Sequence, residues 1–82
     1  MNEPHAKPTA REVFASNLRR ARRQKDVSQE QLGFDAGLSR AYVSSVERAV
    51  RNVSIDNMGR LAEALQVPLS DLVTPDRFKG GY

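Results

Sequence analysis

Apolar residues recur along the chain at the three- and four-residue spacing of amphipathic helices, and no segment alternates apolar and polar residues like a half-buried strand. Phe14, Leu18 and Ala21 form one such stripe. A longer stripe consists of Ile55, Met58, Leu61, Ala62 and Leu65. The pattern predicts an all-α fold, a compact bundle of five short helices between Thr9 and Leu72.

Residues that cap helix N-termini stand in front of these stripes. Thr9-Ala10-Arg11-Glu12 is a capping box, in which the threonine hydroxyl and the glutamate carboxylate accept hydrogen bonds from unpaired backbone N–H groups. Ser28-Gln29-Glu30-Gln31 has the same form. Ser39 and Ser54 are predicted to cap the third and fourth helices, and Pro68 to occupy the first turn of the fifth. The first helix is predicted to start near Ala10, and the first three helices to end near Lys25, Ala36 and Arg48.

A three-residue turn, Gly37-Leu38-Ser39, separates the second and third predicted helices. Glycine suits the left-handed residue that often follows a helix C-terminus. Two helices joined by such a turn are typical of the DNA-binding helix-turn-helix, whose second helix lies in the major groove while the first crosses the backbone. Residues 29–48 are therefore predicted to form a helix-turn-helix.

The third predicted helix has an outer face of short polar side chains. On a helical wheel of about 100° per residue, Val43 and Val46 point inward and Val50 continues that side. The outward residues are Ala41, Ser44, Ser45 and Arg48, with Arg40 and Tyr42 at the two flanks. Short side chains allow a helix to enter a groove, whereas an ordinary solvated helix usually carries glutamate and lysine. The alternative interpretation is the plain solvent face of a small bundle.

These side chains predict contacts to base edges and to phosphates. Arg40 has a planar fork that matches O6 and N7 of guanine, and Ala41 fits a thymine methyl group. The hydroxyls of Ser44 and Ser45 discriminate poorly between bases, and the Tyr42 hydroxyl is within reach of a phosphate or a base. Candidates for backbone phosphates are Gln29, Arg48, Arg51 and Asn52. The simpler interpretation of the latter group is that they are solvated polar residues.

Two charged residues flank the inner sides of different helices. Arg22 borders the apolar stripe of the first helix, and Glu47 borders the inner side of the third. We expect a partly buried Arg22–Glu47 ion pair that fixes these helices relative to each other. Its role is positional, because desolvation offsets much of the attraction between buried charges.

Composition and charge narrow the class of protein. The 82 residues suffice for one domain, and the net charge is +3. Residues 1–25 hold seven Lys/Arg and two Glu, whereas residues 26–82 hold six Lys/Arg and eight Asp/Glu, so the basic charge lies in the first helix and the arm before it. This distribution favours a polyanionic partner such as double-stranded DNA. Residues 1–8 are predicted to be a loose arm and residues 74–82 a tail that flank the domain of residues 9–73.

Other classes of site lack the residues that they need. The absence of cysteine excludes disulfides and thiolate metal sites, and no metal or cofactor is predicted. No apolar run has the length of a membrane span or signal peptide, so a cytoplasmic protein without membrane contact is expected. An enzyme is disfavoured because His5 has no evident partner and the acids are scattered, which leaves no catalytic residues to assign.

Several short motifs together resemble the phage-repressor and Cro-type helix-turn-helix family, also called XRE, over residues 12–73. The motifs are Ser28-Gln29-x-x-Leu32, Ala36-Gly37-Leu38-Ser39, Tyr42-Val43-Ser44, Glu47-Arg48, Arg51-Asn52-x-Ser54 and Leu61-Ala62-x-Ala64-Leu65. Among its members, the chain looks most similar to small stand-alone regulators such as the controller proteins of restriction–modification systems.

The resemblance implies a homodimer that binds an inverted-repeat operator and regulates transcription. It also implies base-facing roles for Ser39, Arg40, Ala41, Ser44 and Ser45, backbone-facing roles for Gln29, Arg48, Arg51 and Asn52, and an internal ion pair between Arg22 and Glu47. Two positions depart from the family pattern. Ala49 stands where glycine is usual, and Gly33 stands where alanine is usual and is compatible with a closer approach to the third helix.

A second function class remains open at this point. The same fold occurs in antitoxin-like modules that grip a protein partner, and Phe78 and Tyr82 are candidates for such contacts. If the chain dimerises, the fourth and fifth helices are expected to supply the apolar area. The candidate residues for that interface are Leu69, Leu72 and Val73.

Overall fold

The computed structural model describes residues 7–79, which form five α-helices and contain no strand. The helices are α1 (Ala10–Gln24), α2 (Gln29–Ala36), α3 (Arg40–Glu47), α4 (Ile55–Leu65) and α5 (Leu69–Leu72). The all-α five-helix prediction is confirmed, with the predicted helix ends correct to within one residue. His5 and Tyr82 lie outside the described residues.

Side-chain caps start the first four helices. Thr9 and Glu12 form the complete capping box, in which the Thr9 N–H donates to Glu12 Oε1 at 2.9 Å and the Glu12 N–H donates to Thr9 Oγ1 at 3.1 Å. The hydroxyls of Ser28, Ser39 and Ser54 cap α2, α3 and α4 in the same way. The predicted second box is only half formed, because the Gln31 amide donates to Asp35 at 2.8 Å, one turn further along α2.

The first four helices all end in a Schellman motif, in which a left-handed residue reverses the chain. The left-handed residues are Asp26, Gly37, Ala49 and Gln66, and only one of these four is glycine. The next residue donates its N–H to a carbonyl five positions back, as Leu38 does to Gly33 at 2.8 Å and Val50 does to Ser45 at 3.2 Å. Ala49 therefore has the positive φ, 60°, that the usual glycine at this position accommodates without strain.

The core draws apolar side chains from all five helices. Its largest completely or almost completely buried side chains are those of Leu18, Leu32, Val43, Val46, Leu61, Leu65 and Leu72. Two predicted inward residues are exposed instead: Ile55 retains 66% of its accessible surface and Val50 retains 60%. Ile55 is the first residue of α4 and lies at the edge of its apolar stripe, and Val50 follows the chain reversal at Ala49.

The short α5 is held against α1 by a buried amide. Asn17 is 1% exposed, and its Nδ2 donates to the carbonyls of Leu72 at 3.1 Å and Thr74 at 2.8 Å. Residues 74–79 continue as turns, and Phe78 packs against the core. Within residues 7–79, no helix has both the length and the apolar character that crossing a membrane requires.

Candidate nucleic-acid interface

The turn between α2 and α3 packs directly on a glycine. A Cβ atom on Gly33 would lie 2.7 Å from the Leu38 carbonyl oxygen and 3.2 Å from the Ser39 carbonyl carbon. Both neighbours are backbone atoms of the turn, so the contact leaves no room for a side chain. The closer approach inferred from Gly33 is therefore present, and it sets the position of Ser39, the residue that caps α3.

A buried ion pair sets the position of α3 relative to α1. Arg22 Nε donates to Glu47 Oε2 at 2.6 Å and Arg22 Nη2 donates to Oε1 at 3.0 Å, with side chains that are 11% and 3% exposed. Gln29 joins the pair, because its Nε2 donates to Glu47 Oε1 at 3.1 Å. Sequence reasoning missed this third partner. The bond uses one of the two amide hydrogens that the prediction assigned to phosphate.

Most of the predicted base-facing residues lie on the open side of α3. Ser39, Arg40 and Ala41 are exposed, and Ser44 is half-buried; Arg48, predicted to face the DNA backbone, is exposed as well. The placement of Ser45 on this open face is wrong. Ser45 is buried, and its hydroxyl donates to the Tyr42 carbonyl oxygen at 2.7 Å while accepting from Arg51 Nε at 2.8 Å. The loop after α3 folds back over this side of the helix, which a wheel of α3 alone cannot show.

The loop between α3 and α4 presents one arginine in a fixed position. The Arg51 guanidinium carbon lies 4.6 Å from the centroid of the Tyr42 ring, within the range of a cation–π contact. This contact and the bond to Ser45 both hold the Arg51 side chain, and neither uses the hydrogens of its two terminal nitrogens. Asn52, the next residue, is also exposed.

Tyr42 connects α3 with α4. Its hydroxyl oxygen accepts a hydrogen bond from Nδ2 of Asn57 at 3.0 Å. Asn57 was not among the predicted site residues, and its sequence context carries no signal for this contact because it is fifteen positions from Tyr42. Arg51, Tyr42, Ser45 and Asn57 thus form one cluster, the Tyr42 cluster, at the flank of the exposed α3 face.

Comparisons with known proteins agree with this architecture. A helix-turn-helix family model matches residues 18–72. The control protein C.BamHI of Bacillus amyloliquefaciens is 42% identical over 62 residues, which are 74% of this chain and 76% of that protein. The control protein C.SmaI of Serratia marcescens is 41% identical over 69 residues, covering 84% of this chain and 82% of that one.

Solved structures extend the comparison to three dimensions. The crystal structure of the restriction–modification controller protein C.AhdI from Aeromonas hydrophila superposes with a TM-score of 0.74 at 45% sequence identity, and covers 76% of this chain and 94% of that protein. The chain therefore belongs to the XRE-type helix-turn-helix family of DNA-binding transcription regulators.

Proposed function

We propose that this protein binds a specific double-stranded DNA operator as a homodimer and regulates transcription from it, in the cytoplasm and without a cofactor or catalytic activity of its own. The observation that carries the proposal is the open face of α3, where short side chains lie between exposed arginines at positions 40 and 48. Residues 9–73 would form the DNA-binding domain, with the segments 1–8 and 74–82 flanking it.

The base contacts are assigned to the N-terminal half of α3. Arg40 is exposed at the first position of the helix, where its guanidinium can donate to O6 and N7 of a guanine. Ala41 and Ser44 allow the helix to approach the bases closely, and Ser39 adds a hydroxyl at the helix start. Ser45 is left out of this set because its hydroxyl is already bonded on both sides.

The backbone contacts are assigned to residues that border this face. Arg51 is the best prepared of them, because its side chain is already fixed by Ser45 and Tyr42 and loses little conformational freedom on binding. Arg48 and Asn52 are exposed nearby. Gln29 contributes its own backbone N–H at the first position of α2, because the N–H groups at a helix N-terminus favour an anion.

The dimer is proposed from the family and from exposed apolar residues near α4 and α5. Leu72 is removed from the predicted interface because the core buries it completely. Val73 and Ile55 remain 48% and 66% exposed, so they can supply apolar area to a second copy. A two-fold dimer places its α3 helices in major grooves one helical turn apart, about 34–36 Å.

Val73→Asp should shift the dimer to monomer in sedimentation velocity, with Thr74→Asp as the charge-matched control.

The regulated system is proposed from the relatives. The named relatives are control proteins, and the named structure is a restriction–modification controller protein. We infer that this chain serves the same kind of system, where a regulator must bind DNA near the genes that it controls. An endonuclease gene beside the coding sequence would support this assignment, and an isolated coding sequence would contradict it.

The deciding experiment is selection of binding sites from a random duplex-DNA library at near-physiological salt. Enrichment of an inverted repeat, with half-sites spaced for two α3 helices on one face of DNA, would support a sequence-specific dimer. Weak and uniform binding without enrichment would contradict it. Binding to the selected duplex should also weaken steeply as salt rises, because phosphate contacts release counterions.

One observation favours a second candidate function, a protein-interaction module. Phe34 on α2 retains 81% of its accessible surface, more than any other large hydrophobic side chain within residues 7–79. Phe34→Ser should leave DNA affinity unchanged if α2 uses this residue only for a protein partner. A loss of DNA affinity equal to that of an Arg40→Ala variant would assign Phe34 to the DNA interface instead.

A further inference from the structure

The hydroxyl oxygen of Tyr42 already accepts one hydrogen bond, from Asn57. A tyrosine hydroxyl has one hydrogen to donate and oxygen lone pairs that accept, whereas an amide nitrogen can only donate. Because Asn57 Nδ2 donates to Tyr42 Oη at 3.0 Å, this contact does not use the hydroxyl hydrogen. The hydrogen bonds within residues 7–79 give it no other acceptor. The hydrogen is left for an acceptor outside the described chain.

The same direction of bonding continues through the rest of the Tyr42 cluster. The Ser45 hydroxyl gives its hydrogen to the Tyr42 carbonyl, so its oxygen is free to accept from Arg51 Nε. The arginine side chain has no acceptor atom, and its terminal nitrogens carry further hydrogens. The edge of the cluster therefore offers two kinds of donor, the Tyr42 hydroxyl and the Arg51 fork, and the positive charge of the arginine lies over the tyrosine ring.

A site built only of donors and one positive charge matches a ligand that only accepts and is negative. A backbone phosphate of DNA is such a ligand, since its oxygens have lone pairs and no hydrogen. We propose that Tyr42 and Arg51 bind one DNA phosphate together, and that Asn57 is the positioning residue that fixes the Tyr42 hydroxyl as a donor. This inference rests on the proposed DNA-binding function and adds Asn57 to the residues that determine it.

The substitution Asn57→Asp keeps the shape of the side chain and reverses the direction of the hydrogen bond. A carboxylate at this position can only accept, so it would take the hydroxyl hydrogen and turn the free side of Tyr42 from donor to acceptor. It also adds a negative charge that repels DNA on its own account. Tyr42→Phe separates the two effects, because phenylalanine has no hydroxyl whose direction can be reversed. The α4 fold should survive, since an acidic residue in a first helical turn is favourable.

The test measures affinity by fluorescence anisotropy for the wild type, both single variants and the double variant. The probes are the duplex enriched by selection and a random-sequence duplex pool. We expect Tyr42→Phe to weaken binding about tenfold on both probes, because a hydrogen bond to a charged group is lost. Asn57→Asp should weaken binding about tenfold more in the wild-type background than in the Tyr42→Phe background.

Several outcomes would overturn the inference. An equal effect of Asn57→Asp in both backgrounds would show that only its charge matters, or that the amide oxygen faces the hydroxyl. If Tyr42→Phe weakens binding to the selected duplex but not to the random-sequence pool, Tyr42 contacts a base and not a phosphate. If the wild type binds DNA and Tyr42→Phe binds with the same affinity, only this inference is overturned. If the wild type binds neither probe, the proposed function is overturned as well.

A second variant guards against loss of structure. Asn57→Ala removes the bond to Tyr42 without adding charge, and the hydroxyl can then rotate. We expect binding about two- to threefold weaker than wild type, and no further loss when it is combined with Tyr42→Phe. Circular dichroism should show unchanged helix content in every variant. A folded Asn57→Ala protein that binds like wild type would contradict the positioning role.

Discussion

Replacing Gly33 with alanine should destabilise this protein, although alanine is the better helix former. Gly33 lies within α2, and an added Cβ would lie 2.7 Å from the Leu38 carbonyl oxygen, closer than side-chain carbons approach backbone oxygens. The neighbouring atoms belong to the backbone of the turn and cannot rotate away. The turn must therefore move, and with it Ser39, which caps α3.

The expected magnitude follows from two opposing terms. Alanine in place of glycine inside a helix contributes about 1 kcal/mol to stability through backbone entropy. Overpacking that shifts backbone costs about 1–3 kcal/mol. The free energy of unfolding should therefore fall by about 1 kcal/mol. For a domain of this size, that change lowers the melting temperature by roughly 4–8 °C.

Gly59 offers a matched control within the same chain. It lies inside α4, and a Cβ on it would meet no atom within 4 Å. Gly59→Ala therefore gains the helix propensity without the collision and should raise the free energy of unfolding by about 0.5–1 kcal/mol. The same chemical change is thus expected to have opposite signs at two helical positions.

Urea unfolding followed by circular dichroism measures both variants on one scale, and an unchanged slope shows that the transition midpoint reports stability. DNA affinity supplies a second readout, because a displaced turn moves α3 and should weaken binding for Gly33→Ala alone. Gly33→Ala could instead stabilise the protein as much as Gly59→Ala and bind DNA with wild-type affinity. That result would show that the turn accommodates a Cβ at position 33, and it would refute the predicted collision.

Three further predictions follow from the site and its supports. Arg40→Ala should relax base preference at one position in each half-site, at a cost of about 1–3 kcal/mol, and binding-site selection would contradict this role if all sequences lost equally. Ala49→Gly should raise the free energy of unfolding by about 0.5–1 kcal/mol, because glycine relieves a left-handed residue with φ of 60°; no gain in urea unfolding would show that the loop is unstrained. Glu47→Ala should cost about 3–5 kcal/mol by leaving Arg22 buried without its carboxylate, and adding Arg22→Met should restore part of that loss in thermal melts.

The helices were predictable because their signals are local. Thr9, Ser28, Ser39 and Ser54 accept hydrogen bonds from residues three positions ahead, so each cap can be identified within four residues of sequence. The wrong assignment of Ile55 has the opposite origin. Its apolar character and spacing fit the α4 stripe, but whether a first-turn residue is covered depends on neighbouring segments that the spacing does not describe.

The Arg22–Glu47 pair was predictable for a different reason. Each residue lies at the edge of an apolar stripe on its own helix, and stripes of packed helices face each other, so the edges come together as well. The contact of Gln29 with this pair could not be predicted in the same way. It occupies the first turn of α2, and only the packing of α2 against α3 brings its amide to the carboxylate.

The Tyr42 cluster could not be predicted because its members meet only after the α3–α4 loop folds back. No periodicity relates Tyr42 to Asn57, and a wheel of α3 treats Ser45 as solvent-facing. Once the contacts are known, however, residue chemistry dictates the bonds. Amide and guanidinium nitrogens can only donate, so both hydroxyls of the cluster must accept and direct their own hydrogens elsewhere. Ser45 directs its hydrogen inward to the backbone, and Tyr42 is left with one to direct outward. The donor character of this edge is thus a consequence of residue types at contacts that only the folded chain brings together.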